Sequence, residues 1–263
     1  NLDPETSTSW TAGLVWSPTT SFDVTVDYFD IRMRDQVQDM SVDAILRDEA
    51  SCRLGDLDPS SPTCVDAIAR ITRINGDLYG IFVNPVNVAR ETTSGLDVSA
   101  QYRLATRIGD WRLSASHTWV NEHEFQQFRG DPIEDEFAIN SGFDIPRTKS
   151  SATLSWQYGG WAASLHGERL GKLPNSDSYD QVYDPEDGGS PWIDATWRYN
   201  TSASYTFGES MRVALTIDNL TDKMPPKDPT YTAYPYYDVS WFDSVGRTYF
   251  LTFTYKFGGQ PLQ

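Results

Sequence analysis

The chain has 263 residues, 39% hydrophobic and 13% aromatic, with a formal net charge of −16. That length suits one large β domain or two smaller ones, and the acidity argues against nucleic acid, whose phosphates need a basic patch. Low apolar content beside 9 Trp and 14 Tyr points to amphipathic surfaces edged with aromatics. No apolar run reaches roughly 18 residues, so no membrane-spanning helix is expected. The opening Asn1–Ser7 does not read as a signal peptide, so a targeting segment is expected to have been removed or to lie upstream.

Period-2 alternation, the mark of a strand with two unlike faces, recurs along the chain. Trp10, Ala12, Leu14 and Trp16 begin it, and Phe22, Val24, Val26 and Tyr28 follow. Leu96, Val98, Ala100, Tyr102 and Leu104 make a third set, and Trp111, Leu113, Ala115 and Trp119 a fourth. Then come Ala152, Leu154, Trp156 and Tyr158, and Trp161, Ala163, Leu165 and Gly167. Trp197, Tyr199, Ala203 and Tyr205 precede Met211, Val213, Leu215 and Ile217. The series ends on Tyr249, Leu251, Phe253, Tyr255 and Phe257. This predicts about nine strands of about ten residues.

The links between them alternate in length. Short ones read SPTTS, ATRIGD, YGGW and FGES; long ones span about 40–84, 122–147, 171–191 and 221–246. An up-and-down antiparallel sheet, with turns at one end and loops at the other, gives this pattern. A soluble sandwich would bury the apolar face, whereas a membrane barrel turns it to lipid and keeps its interior polar. Asp23, Asp27, Asp97, Arg103, Arg112, Glu168 and Arg198 on the polar face would need partners in a dry core, but are cheap in a wet lumen. On a strand tilted near 45°, Trp111 and Trp119 would stand about 20 Å apart along the membrane normal, matching two interfacial aromatic girdles. The barrel is the favoured reading.

Catalytic signatures are missing. The three histidines, His117, His123 and His166, carry no metal spacing, with His117 on the apolar register and His166 on the polar one. No G-x-S-x-G, P-loop or H-E-x-x-H occurs. No enzyme is expected.

Several stretches, in order, resemble the C-terminal part of the β-barrel of a TonB-dependent outer-membrane receptor. They are NLDPETSTSWTAGLVWSP, FDVTVDYFDIRMRDQV, NVARETTSGLDVSAQY, IDNLTDK and the terminal LTFTYKF. The resemblance spans nearly the whole chain. It implies a transmembrane antiparallel up-and-down barrel of about 22 strands, of which residues 1–257 would be the last nine or so. The plug domain and early strands would lie outside this chain, and residues 258–263 would be a short polar tail. It implies TonB-dependent uptake of a scarce nutrient such as an iron–siderophore, cobalamin or an oligosaccharide. Implied partners are outer-membrane lipid and lipopolysaccharide, the rest of the barrel and plug, the TonB energy-coupling complex and the nutrient. The setting is the outer membrane of a Gram-negative bacterium, with long loops extracellular. In the family the terminal aromatic is an assembly signal; here it would be Phe257, with Tyr255 and Phe253 before it. Family members usually stop at that aromatic, and this chain does not. A passive porin or adhesin barrel, and a secreted carbohydrate-binding sandwich, are the alternative readings.

The long loops are the candidate specificity elements. In the first, Ser41 is a candidate N-cap for a helix with Val42, Ile45 and Leu46 on one face, and Pro62 starts a second helix. Cys52 and Cys64 read as a disulfide tying the two, with free thiols as the alternative; Asn75-Gly76 marks a hairpin. In the last loop Tyr231, Tyr234, Tyr236, Tyr237, Trp241 and Phe242 are candidate ligand-stacking residues, joined by Tyr179 and Tyr183 from the loop before. Packing against neighbouring loops is the plainer reading. Asp184, Glu186 and Asp187 offer oxygen ligands for Ca2+, though their spacing departs from an EF-hand and a solvated acidic loop explains them as well. No other cofactor is expected. Such acidic loops argue against an anionic iron chelate, and the sequons NLT and NTS read as chance.

Overall fold

The computed structural model describes residues 2–187 and 189–257. In chain order it opens with strands β1 (Thr6–Thr19) and β2 (Phe22–Asp39), then helices α1 (Val42–Leu54) and α2 (Pro62–Arg70). Strands β3 (Ile71–Ile74), β4 (Asp77–Ile81), β5 (Pro85–Thr106), β6 (Gly109–Gln126) and β7 (Glu134–Asp135) follow. Next come β8 (Thr148–Tyr158), β9 (Trp161–Leu170), β10 (Leu173–Pro174), the short α3 (Ser176–Tyr179) and β11 (Trp192–Ile193). The chain closes with β12 (Thr196–Phe207), β13 (Met211–Asp218) and β14 (Thr248–Tyr255).

The main sheet has the order β1-β2-β5-β6-β8-β9-β12-β13-β14, with β7 added on β6. Those nine strands are the ones the alternation marks. Hairpins β3-β4 and β10-β11 stand apart from it. β2, β5 and β6 reach 18, 22 and 18 residues, well past ten. Their extra length is paired through polar groups: Arg90 Nη2 bonds Glu124 Oε2 at 2.9 Å and Ser94 Oγ bonds Glu122 Oε2 at 3.3 Å. Alternation of apolar residues fades there, so these extensions were invisible to a period-2 reading. The short links are tight turns. At the β5–β6 turn Gly109 has φ 120°, and a Cβ there would fall 2.4 Å from the Gln157 carbonyl oxygen, so only glycine fits.

The chain clusters into two compact units. The first comprises Asn1–Thr11, Phe29–Ser94 and Asn121–Ala138. Its helices form as their caps dictate. Ser41 Oγ accepts from the Ala44 N–H at 3.0 Å, and Gly55 ends α1 in the left-handed region at φ 89°. Ser61 caps α2, whose first residue is Pro62. Cys52 and Cys64 form a disulfide with Cα atoms 5.7 Å apart. Asn75 and Gly76 both take positive φ, making the β3-β4 turn.

The buried face of α1 differs from the expected one. Ile45 is buried, Val42 is exposed, and Glu49, one turn on from Ile45, is 1% exposed. Its carboxylate accepts from Arg53 Nε at 2.8 Å and Arg73 Nε at 2.7 Å, tying α1 to β3. The Arg73 bond, then the Arg53 one, offset burial and hold Glu49 down at about 2. Glu136, 3% exposed, goes the other way. Burial first, then the charges of Glu134, Glu91 and Asp135, push it up to about 8. His123, buried nearby in the same unit, bonds Glu91 at 2.9 Å and takes the Glu136 N–H on its carbonyl.

The second unit comprises Ala12–Tyr28, Gly95–Val120 and Ile139–Gln263. Its strands are in register so that one face is apolar and aromatic. Trp111 faces Trp156, Tyr158 faces Trp161, and Trp161 faces Tyr205 across neighbouring strands. Trp111 and Trp156 lie 6.1 Å apart, and Trp161 and Tyr205 4.7 Å, at the short-turn end. Trp119, Trp197, Tyr199 and Tyr249 mark the long-loop end of the same face. On β14, Tyr249, Leu251, Phe253 and Tyr255 oppose Ile217, Leu215, Val213 and Met211.

Candidate functional site

The opposite face of the second unit is a ladder of small hydroxyls and charges. One row runs Ser116, Ser151, Glu168 and Arg198; the next runs Thr118, Lys149, Leu170 and Thr196. Ser116 and Ser151 share a 2.8 Å hydrogen bond, and Thr118 Oγ1 donates to Asp97 Oδ1 at 2.6 Å. His166 belongs to this face, 2.8 Å from Thr153 Oγ1 and 3.2 Å from Glu168. His117 lies on the other, bonded to Ser150. Both follow the register that the alternation assigns.

Above these rows the β13–β14 loop makes a roof. It starts on Asn219, fully buried at φ 51°. The Asn219 carboxamide accepts from the Lys223 N–H at 2.8 Å and donates to the Lys223 carbonyl at 2.9 Å, while its own N–H bonds Asn200 Oδ1. Asp222 Oδ1 accepts from the Arg247 N–H at 2.9 Å, clasping the end of the loop to its beginning. The IDNLTDK motif is thus a backbone clip, and it delivers Lys223 to the cavity beneath.

That cavity has a volume of about 410 Å³, lined by both polar rows, by Lys223–Pro225 and by Trp241–Asp243. Lys149 Nζ sits 4.6 Å from the centre of the Trp241 ring. Among the described residues, buried Arg198 Nε and Trp241 Nε1 have no hydrogen-bond acceptor. Among the described residues Lys149, Arg198 and Lys223 have no carboxylate partner. The two carboxylates on the lining are engaged, Glu168 with His166 and Asp243 with the Val245 N–H.

Of the aromatic candidates, the structure brings Trp241 and Phe242 to this cavity and none of the tyrosines. Tyr237 is buried in its own loop. Tyr234, 87% exposed, and Tyr236 meet edge-on at 6.2 Å, and Tyr231 is half-buried. Tyr179 is exposed on α3, and the Tyr183 hydroxyl donates to the Gly189 carbonyl. The two loops are latched through buried Asp228, which accepts from the Ser176 N–H at 2.6 Å and from Thr230 Oγ1 at 2.7 Å. Asp184 accepts from the Glu186 N–H at 2.8 Å, which occupies one of its oxygens locally. The Asp187 side chain lies outside what is described, and among the described residues no group of three or more metal-ligating side chains gathers. Phe257 is exposed and edge-on to Tyr255 at 4.5 Å. Residues 258–263, the expected tail, lie outside the described residues. Sequence reasoning missed Lys149 and Lys223 as site residues and placed Arg198 only on the polar face. Lys223 stood inside a quoted motif, and that was the available signal.

An apolar aromatic-edged face, a polar face and hairpins of alternating length define the wall of a transmembrane β-barrel. The TonB dependent receptor-like, beta-barrel family matches residues 1–220, and the chain belongs to that family. Among solved structures it is similar to a mutant of the ferric enterobactin receptor PfeA of Pseudomonas aeruginosa, with 14% identity and a TM-score of 0.60. That match covers 96% of this chain and 31% of the receptor. The FrpB iron transporter of Neisseria meningitidis gives 13% identity and a TM-score of 0.55, over 97% of this chain and 32% of that one. The siderophore receptor PirA of Acinetobacter baumannii gives 12% and 0.57, over 98% and 32%. At these identities the likeness is one of fold, and the chain spans about a third of the length of each receptor. No curated protein sequence matches it.

Proposed function

We propose that the chain is the C-terminal part of the barrel wall of an outer-membrane receptor for TonB-dependent uptake of a scarce nutrient. Residues 1–257 form wall and extracellular loops, and residues 258–263 a polar tail. The apolar face meets lipid and lipopolysaccharide of a Gram-negative outer membrane. A plug and earlier strands belong to the same polypeptide, and the energy-coupling complex acts through that part. The nutrient is a ferric siderophore, cobalamin or an oligosaccharide, in keeping with the iron and siderophore receptors of like fold.

One observation carries the reading. β1 and β14 end the strand order with one neighbour each, and both are exposed along nearly their whole length. Unpaired strand edges are not tolerated in lipid. In an alternating run of nine strands the first and last point the same way, so they cannot close on each other antiparallel. Open edges among the described residues support the reading that further strands of the same polypeptide complete the wall. The test is uptake of labelled ferric siderophores, cobalamin and oligosaccharides by cells with and without an active coupling complex. One of these should accumulate only when coupling is active. Uptake indifferent to coupling would instead indicate a passive porin.

A further inference from the structure

We propose that the β6–β7 segment is a pH-sensitive latch on the stapled loop. It holds α1 and α2 docked while the carboxyl groups at their junction stay protonated, and it releases them as those groups ionise. Every contact involved lies within the first unit, so the proposal stands apart from the receptor reading.

The latch is a small set of bonds. Thr63 Oγ1, in the first turn of α2, donates to Asp131 Oδ2 at 2.6 Å, and Gln127 Nε2 donates to Asp48 Oδ2 of α1 at 3.1 Å. Asp131 Oδ2 also accepts from the Phe128 N–H at 3.1 Å, and its carbonyl accepts from Gln126 Nε2 at 2.7 Å. The residue that grips α2 therefore also shapes the turn before β7. β7 pairs with β6 over two residues, Glu134 and Asp135, and the Glu136 N–H adds one bond to the His123 carbonyl.

Carboxylates converge on this junction from both sides. Asp48 of α1 lies near Asp66 of α2 and near Asp131, and Glu134 of β7 lies near both Asp48 and Asp131. Buried Glu136 meets Glu134, Asp135 and Glu91 of β5. The cations around them are engaged. Arg70 pairs with Asp66 inside α2, Arg90 with Glu124 beside Glu122, and Arg129 with Asp35. His123 bonds Glu91, and Arg47 offsets part of the charge near Asp48. Burial first, then the like charges, raises Glu134 above the usual carboxylate range and Glu136 to about 8; burial raises Asp48 despite its bond from Gln127. The docked form thus keeps protons that the released form gives up at lower pH. Docking weakens as pH climbs from about 4.5 to about 8 and changes no further once both forms are ionised.

The test uses the intact receptor in detergent, spin-labelled at Ile68→Cys on α2 and Ile133→Cys before β7, both exposed. Cys52 and Cys64 are bonded to each other and take no label. Pulsed EPR reads the separation of the labels from about pH 4.5 to 9. One short separation at low pH should give way to a longer, broader one. The docked-to-released ratio should fall about tenfold per pH unit for each proton lost, up to about pH 8. Glu136→Gln should remove one proton's share of that slope, and Asp48→Asn with Glu134→Gln the rest. Thr63→Val removes a grip but no titrating group, so it should favour release at every pH with the slope unchanged. A wild-type separation constant across the range would overturn the proposal. So would a slope that survives intact in Glu136→Gln and in the Asp48→Asn, Glu134→Gln double variant.

Discussion

The stapled loop of the first unit and the cavity of the second treat charge in opposite ways. In the first, one buried carboxylate, Glu49, is met by two guanidiniums, from Arg53 and Arg73. In the second, Lys149, Arg198 and Lys223 line one cavity without a carboxylate to themselves. A buried charge that is fully matched holds a fold together. A set of like charges left unmatched costs stability and persists where something else supplies the counter-charge. The stapled loop answers its buried charge from within the chain, whereas the cavity leaves that answer to something outside the described residues.

The largest expected effect lies in the stapled loop. Replacing Cys52 and Cys64 with serine opens a loop with a sequence separation of 12, and such a closure is worth about 3 kcal/mol. Amide exchange in α1 and α2 should speed accordingly. Unchanged exchange would mean that the Glu49 ion pairs and the packing of Ile45 and Ala67 suffice. Arg73→Ala should destabilise this loop measurably, since Glu49 then stays buried with a single partner. A loss within measurement error would break the contrast drawn above.

The same unit should respond to pH in two directions. Glu49 is held down at about 2, below its value in an unfolded chain. Its stabilisation is complete above about 4.5 and disappears as pH falls toward about 2. Glu136 is pushed up to about 8, so the folded form keeps a proton that the unfolded form releases above about 4.5. Its contribution is favourable at low pH and is lost as pH rises through about 8. Proteolysis of the 122–138 segment should therefore quicken between about pH 4.5 and about 8 and level off above that. In a Glu136→Gln variant that trend should flatten; if it does not, Glu136 is not its source.

The smallest effect sharpens the comparison most. Arg198→Leu should leave thermal stability unchanged or raise it by up to about 1 kcal/mol, because no partner is lost. If it destabilises as much as Arg73→Ala does, Arg198 is a structural residue and the cavity loses its main donor.

Much of this architecture was legible in the sequence for a simple reason. A strand with one apolar face writes its register as period 2, so Trp111, Trp156, Trp161 and Tyr205 announce a shared surface before any pairing is known. Capping chemistry is equally local, which is why Ser41, Ser61 and Asn75-Gly76 could be placed. The candidate site was far less legible. Clustered tyrosines suggested a stacking platform at 231–237, yet Tyr237 packs inside the loop and Tyr234 stands in solvent. Aromatic density signals contact of some kind but not with what.

The sequence by itself determined the two-faced strands, the alternation of turns and loops, the capped helices and the family. Each is set by neighbours within a few residues, or by a repeating period. Only the tertiary structure decided which charges are answered. Glu49 finds Arg73 across 24 residues, and Lys149 finds Trp241 across a far longer stretch. Arg198 stands opposite Glu168 in the pairing yet forms no ion pair among the described residues. Ion pairing depends on distance in space, and a linear pattern of charges carries no record of it.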